Sequence, residues 1–414
     1  MGSGSQPESF ERPSRSSSRA NRSAEHGGAA ALMLLTRPSY TPQVFERSRN
    51  ALLRRMTVKT TLVIILFWTL CAVPIARAVC VGASVNSFGA KGDGHTDDTA
   101  AIQKAINAAG SAGGGSVVFN VARYYTSGTF VVPQGVVLCG AVEGPFDVAG
   151  INPALTTIAP TLLITNTSSP FLTLKGIGAG VTDLLFHYPN QVASSASMPT
   201  PYPYTIAVAG PGTRIERSTV TNAYNFLDIE LGRTTVQDLF IGAFNTGVHI
   251  DHTEAYVSLR NLFNQVFWDV LEGAQYPRPI DTWVLNNGIG LVVDRMDSLE
   301  IHDFFVFSRF TGILLTDSTD TSQGITCGYG TASNIDLDTV QYGIVISASN
   351  IPGYKFTNVD IGAAPGLGQA AVQVKTGGSM LPKIEINGGS QRGVWALGAY
   401  PPPATDTIIV NILP

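Results

Sequence analysis

Helix is what this sequence has least of. Beyond residue 109 almost no stretch repeats apolar residues at the spacing of a helical face, which excludes a helical bundle. Short apolar runs recur there every twenty residues or so, broken by Gly or Pro, and leave no room for the crossovers of a dozen or more residues that βαβ units need. Charge is also sparse, with Asp, Glu, Lys and Arg at 14% of 414 residues. There are 4 cysteines, with no Cys-x-x-Cys pair and no Cys/His cluster, so nothing points to a structural zinc site. A surplus of basic residues is missing as well. Residues 79–414 hold 15 basic against 26 acidic side chains, a net charge of −11. That weighs against a nucleic-acid partner, which requires a basic face, and a polyanionic substrate then needs a local basic groove or a cation to offset the field.

The N-terminal part has a different composition. Residues 1–55 are rich in Ser, Arg and Gly and carry nine Arg against four Glu, which predicts a disordered basic extension, upstream of the true start if Met56 is the initiator. Met56, Lys59, an apolar run over residues 62–73 and Ala76-Arg77-Ala78 then form the charged, apolar and small-x-small parts of a secretory signal peptide, residues 56–78. Cleavage after Ala78 would leave a single domain, residues 79–414, in an extracellular or periplasmic compartment. A retained signal anchor is the alternative, and the apolar run is short for it. Neither Cys71 nor Cys80 follows the small residue of a lipoprotein signal, so no stable membrane anchor is expected. Cys80, Cys139 and Cys327 would remain, with Cys80 and Cys139 the nearest pair and the pairing itself left open.

Residues 88–109, FGAKGDGHTDDTAAIQKAINAA, organise the rest of the chain. Gly89, Gly92 and Gly94 punctuate a polar turn, Asp97 and Asp98 stand where helix caps stand, and Ile102, Ala105, Ile106 and Ala109 fall on one helical face. A lone amphipathic helix ahead of many short strands is what a solenoid uses to close its end. Strands are expected at residues 116–120, 124–132, 135–139, 171–174 and 181–186. A proline- and serine-rich loop over residues 189–203, with Tyr188, Tyr202 and Tyr204 around it, reads as a binding loop or a disordered segment.

From residue 214 a repeat shows. Ile215, Val236 and Val257 are 21 residues apart, as are Leu227 and Val248, and Ile229 and Ile250. Glycine precedes an apolar strand at Gly247, Gly290, Gly312 and Gly343, and looser rungs continue to residue 386. After Pro401 to Pro403, residues 407–413 read as a closing strand. Such a chain can coil so that successive turns stack at the strand spacing of about 4.8 Å, inward residues forming apolar columns and outward ones surface columns. The competing all-β arrangement is an antiparallel sandwich.

The 88–106 segment resembles the N-terminal signature of the pectate lyase superfamily, which holds polygalacturonase-like hydrolases, polysaccharide lyases, uronan epimerases and phage tailspikes. The resemblance implies a right-handed parallel β-helix with an N-terminal capping helix, and a polysaccharide as partner. The hydrolases of that group carry Asn-Thr-Asp, Asp-Asp, Gly-His-Gly and Arg-Ile-Lys segments, whereas this chain has Asn245-Thr246-Gly247 and no such series. Its lyases use calcium-bridged acids with an Arg or Lys base, so calcium is a possible cofactor under that reading and none is required otherwise. The epimerases use an Asp-Pro-His-Asp motif, to which His249-Ile250-Asp251-His252 is similar.

Periodicity places the chemistry. Aligning Leu227 with Val248 sets Asp228 beside His249 and Glu230 beside Asp251, and a next strand with Trp268 and Val270 inward would bring Asp269 into the same outward column. Asp228, Glu230, His249, Asp251 and Asp269 are therefore the candidate catalytic residues, with His252, Glu254, Arg233, Arg260 and Tyr256 as candidate substrate contacts and no metal ligand assigned. Carboxylates one rung apart and two residues offset, such as Asp228 and Asp251, are separated by about 8 Å, inside the range of roughly 6.5 to 9.5 Å for inverting glycoside hydrolysis. Glu230 stacked on Asp251 would keep one proton by like-charge repulsion. Tyr224, Phe244, Tyr256, Phe263, Trp268, Tyr276 and Trp283 offer rings for sugars or for the core. The expectation is a secreted polysaccharide hydrolase, with a lyase or epimerase, or a non-catalytic carbohydrate-binding coil, as alternatives.

Overall fold

The computed structural model describes residues 80–148, 158–191, 197–265, 277–324, 327–349, 351–363, 370–374, 384–389, 391–392 and 396–397. All belong to the second of two compact units, residues 76–414. The basic extension, the signal segment through Val79 and the closing strand at 407–413 lie outside the described residues.

The chain winds as a right-handed parallel β-helix with three faces, and every strand pairing is parallel. On the first face an inward column runs through Val117, Leu138, Val181, Ile215, Val236, Leu259, Ile301, Ala332, Phe356 and Ile386, each paired with the next. The second face has Tyr124, Leu162, Phe186, Val220 and Ile241 in the equivalent column. The third has Leu172, Ile206, Leu227, Val248, Leu291, Ile313, Ile344 and Val372. These residues are buried, and their removal from water is the term that favours the coil, at about 1.5–3 kcal/mol for each large aliphatic side chain.

Long strands such as Arg214–Ile229 and Thr234–Ile250 serve all three faces by bending. The bend between the first and second faces falls on one left-handed residue per rung: Asp183, Arg217, Asp238, Asn261, Asp303, Asn334 and Asn358, all with φ between 41° and 60°. Asn and Asp tolerate that conformation better than branched side chains do. Their side chains then link rungs, with Asn261 Nδ2 donating to Asp238 Oδ1 at 2.7 Å, Asn334 Nδ2 to Asp303 Oδ1 at 2.9 Å and Asn358 Nδ2 to Asn334 Oδ1 at 3.0 Å. At the first of these steps Arg217 grips both oxygens of Asp183.

The capping helix, α1, is Thr99–Ser111, with Ile102, Ala105 and Ile106 buried and Ala109 against the core. Asp98 holds the cap position, but its carboxylate reaches back to the N–H groups of Lys91 and Gly92, closing the glycine turn. Asp97 accepts the N–H of Thr99 and the hydroxyl of Ser127. Cys80 and Cys139 form a disulfide, Cα to Cα 6.2 Å, which staples the chain to the strand Val136–Gly140, while Cys327 is free and buried.

Two expected strands are each divided in two. Residues 124–132 form Arg123–Thr126 and Phe130–Val132, and 181–186 divides at the left-handed Asp183 into Gly180–Thr182 and Leu185–His187. The 21-residue register holds for Ile215 on Val236 and Leu227 on Val248. It fails for Val257, which pairs with Thr234, because the turn at Asp251 and His252 lengthens that rung and puts Leu259 on Val236.

Candidate functional site

The outward positions of the third face change character over a few rungs. Thr173 pairs with Ala207, Ala207 with Asp228, Asp228 with His249, His249 with Val292 and Val292 with Leu314. Charge is concentrated at Asp228 and His249, with small side chains on one side and aliphatic ones on the other. Two residues further along, Glu230 follows Asp228, Asp251 follows His249 and Asp294 follows Val292, continuing the same ladder through Glu230 N–H to Val208 O, Asp251 N–H to Ile229 O and Asp294 N–H to Ile250 O. Ala207 and Ala209 on the preceding rung leave a step beside Asp228 and Glu230.

His249 sits between two carboxylates, with Nδ1 2.7 Å from Asp228 Oδ1 and Nε2 3.0 Å from Asp294 Oδ2. The Tyr204 ring lies nearly parallel to the imidazole, centroids 6.0 Å apart. Burial opposes the charged form of His249, but hydrogen bonds to the two aspartates outweigh it and raise its pKa to about 10. The ring is therefore an imidazolium at neutral pH with both N–H groups donating. Burial, and then the charge of Asp228, also raises the Tyr204 phenol.

A folded-state pKa near 10 exceeds the usual histidine value of about 6.5, so protonation of His249 favours the folded state. That contribution is complete below pH about 6.5 and is lost as pH rises through 10. The melting temperature is accordingly expected to fall between those limits, and His249→Gln to flatten the decline. Differential scanning calorimetry of both proteins across pH 6 to 10.5 reads this directly.

Glu230 is exposed. Its pKa is raised first by partial desolvation and then by Asp228, with Asp251 a weaker contributor. The expected like-charge stacking on Asp251 is thus secondary to burial. Asp251 itself is only 6% exposed, and its oxygens accept the N–H groups of His252 at 2.8 Å and Arg295 at 3.1 Å and the Ser318 hydroxyl at 2.9 Å. The Asp228 and Asp251 pair expected to flank substrate is corrected accordingly, since Asp251 closes a turn and the outward carboxylates are Asp228 and Glu230.

His252, left-handed with φ of 53°, lies between Asp251 at 3.4 Å and Asp320 at 3.2 Å. Glu254 is exposed at the start of Thr253–Asn264. Arg233 stands in the turn into the first face, its N–H bonded to Tyr256 O. Arg260 and Tyr256 belong to the first face, paired with His302 and Ser298, and are not part of the His249 cluster. Asp269 lies outside the described residues, as do Trp268, Val270 and Tyr276. The rung stacked on His249 is Ile289–Val293, so the acid that reaches the imidazole is Asp294, and Val292 takes the place foreseen for Asp269. Tyr188 and Tyr202 pack edge to face and are buried, so they are not sugar platforms; Phe244 is core.

His249, Asp251 and Asp294 each bring one possible ligand atom within 4.8 Å of the others. The set does not fit calcium, which takes six to eight oxygens. It includes an imidazole nitrogen, both nitrogens of that ring are engaged, and Asp251 already accepts three hydrogen bonds.

The family described as rhamnogalacturonase A/epimerase, pectate lyase-like, matches residues 82–156, the segment that contains α1, the glycine turn and the first rungs. Over this segment the chain resembles the pectate lyase-like superfamily. Alginate lyase 7 of Azotobacter vinelandii is 46% identical over 68 residues, 15% of this chain and 8% of that protein. Mannuronan C5-epimerase AlgE3 of the same organism is 58% identical over 45 residues, 11% and 2% of the two chains. The chain thus spans under a tenth of the length of these relatives. A variant of the tailspike protein of E. coli bacteriophage HK620 superposes with a TM-score of 0.52 at 10% identity, over 75% of this chain and 56% of that one, a likeness of fold. The curated matches extend over too few residues to assign roles to Asp228, His249 or Asp294, which are placed by geometry alone.

Proposed function

We propose that this protein is a polysaccharide-active enzyme that hydrolyses glycosidic bonds at the outward end of the third face. The observation that carries the reading is the unequal pair Asp228 and Glu230. Both point outward two positions apart, Asp228 within the strand Arg214–Ile229 and Glu230 just past its end, a separation of roughly 6.7 Å, at the lower end of the range of about 6.5 to 9.5 Å for inverting hydrolysis. Glu230, exposed and with a raised pKa, serves as the acid that protonates the leaving oxygen. Asp228, held by the imidazolium of His249, serves as the base that orients water. His249 is a positioning residue that fixes Asp228 and offsets the acidic field of the cluster.

A second reading is supported by the alginate lyase and mannuronan epimerase among the relatives. In it the imidazolium stabilises a uronate carboxylate while a neighbouring group removes the adjacent proton. Incubation with a panel of neutral and uronic acid polysaccharides distinguishes the two. Hydrolysis is expected to yield reducing ends without the absorbance of unsaturated uronates. Reducing ends together with that absorbance would establish elimination; with neither signal, a changed uronate C5 configuration by ¹H NMR would establish epimerisation, and its absence would favour a binding-only coil.

A further inference from the structure

The first face carries a second constellation, remote in the fold from His249 and separate from the Asp228 and Glu230 pair. Arg260 pairs with His302, His302 with Ser333 and Ser333 with Thr357, so these side chains share one outward column. Glu300 precedes His302 by two residues on the same face. Ser333 Oγ lies 2.6 Å from His302 Nδ1, and His302 Nε2 lies 3.3 Å from Glu300 Oε1. Glu300 also accepts the Tyr256 hydroxyl and has Arg260 Nη2 at 3.8 Å.

From this geometry we infer that Ser333, His302 and Glu300 form a nucleophile, base and orienting acid for acyl transfer from an ester carried on a sugar. The chain of contacts meets the requirement for an activated hydroxyl: nucleophile on base within hydrogen-bond reach, and base on a third group. Glu300 accepts the Nε2 proton and thereby leaves the Nδ1 lone pair facing Ser333. Two hydrogen bonds, from Tyr256 and then His302, hold Glu300 below its usual pKa and keep it an acceptor.

The step balances without a co-reactant other than water. Ser333 Oγ attacks the ester carbonyl as its proton passes to His302 Nδ1, and the new Oγ–C bond forms a tetrahedral intermediate. Its collapse breaks the bond to the sugar oxygen, which leaves as a hydroxyl with the proton from His302. Water then attacks the acyl-serine with His302 as base, releasing the carboxylic acid and restoring Ser333. Thr357, paired with Ser333, and Lys355, two residues before it, are exposed on the next rung and supply donors for the oxyanion.

The substrate class is set by the same face. Among the described residues only two aromatic side chains are exposed, Tyr256 at 44% and Tyr329 at 62%. Register puts both in one outward column with Ser298 between them, two rungs or about 9.6 Å apart. Rings at that spacing on an open polar surface suit stacking on a glycan. The described side chains that share this face with Ser333, namely Glu300, His302, Thr331 and Thr357, are polar, which suits a short acyl group such as acetyl.

The test is covalent labelling of the full chain by a fluorophosphonate, with the adduct mapped by peptide mass spectrometry, alongside hydrolysis of 4-nitrophenyl acetate. An adduct on Ser333 is expected, absent in Ser333→Ala. His302→Gln is expected to slow labelling by about 100-fold or more. Glu300→Gln should shift the pH profile of labelling, and Glu300→Asp should restore it in part, which a purely structural role would not do. Absence of an adduct on Ser333 in protein with an unaltered melting temperature would overturn the inference, as would ester hydrolysis unchanged in Ser333→Ala. The label requires no glycan, so its outcome is independent of whether the third face cleaves polysaccharide.

Discussion

Glu230→Gln is expected to lower kcat on the responsive polysaccharide by about 10²–10⁴-fold with little change in KM. The substitution keeps the size and hydrogen-bonding reach of the side chain but removes its capacity to donate an acid proton. A substrate with an activated aryl leaving group needs less protonation, so its rate should fall far less. Steady-state kinetics on both substrates reads the difference. Equal losses on the two would move the role of Glu230 from acid to base or to binding. Asp228→Asn should instead impair both substrates alike, because water activation is required whatever the leaving group. The unequal responses follow from the environments: Glu230 has its pKa raised by desolvation and then by Asp228, while Asp228 is bonded to an imidazolium.

Gly312→Ala is expected to destabilise the fold by about 2–3 kcal/mol, although it adds a single methyl group. A Cβ at Gly312 would stand 2.7 Å from the carbonyl oxygen of Gly343 and 3.0 Å from both methyl carbons of Leu337. The carbonyl is fixed by the rung, so relief requires loosening the ladder. Gly247, Gly290 and Gly343 face the same obstacle, the carbonyl of the next rung, at 2.5, 2.6 and 2.3 Å. Gly353 is the control, since a Cβ there meets nothing nearer than Tyr329 at 3.5 Å, and its change to Ala should alter stability by less than about 1 kcal/mol. Urea unfolding of the two variants checks the contrast.

The same glycine column shows how much of the molecule could be read from its sequence. Gly247, Gly290, Gly312 and Gly343, each preceding an apolar residue, mark the third face correctly because close backbone approach leaves a residue-level trace. Asp228 beside His249 was legible for the same reason, through a 21-residue interval without insertion. Asp294 was available from that signal too, since setting Leu291 on Val248 puts it two residues past the His249 position. In the sequence, the alternation of Trp268 and Val270 about Asp269 competes with it for that position. The direction of Asp251 was not legible, because the donors that draw it inward come from Arg295 and Ser318, 44 and 67 residues away. The separation of Arg260 and Tyr256 from the His249 cluster depends on where the corners fall. Those corners rest on single left-handed residues such as Asp238 and Asn261, which local composition does not distinguish from other polar positions.

Coiling brings Asp228, His249 and Asp294 from three successive rungs into one charged cluster, and the proposed chemistry of the third face depends on it. Histidine-selective ¹⁵N NMR of the full chain, titrated from pH 5 to 11, measures the consequence at the imidazole itself. The His249 ring is expected to stay doubly protonated through neutral pH, to titrate near 10, and to titrate lower in Asp294→Asn. A His249 titration near the ordinary value of about 6.5, unmoved by that substitution, would contradict the cluster.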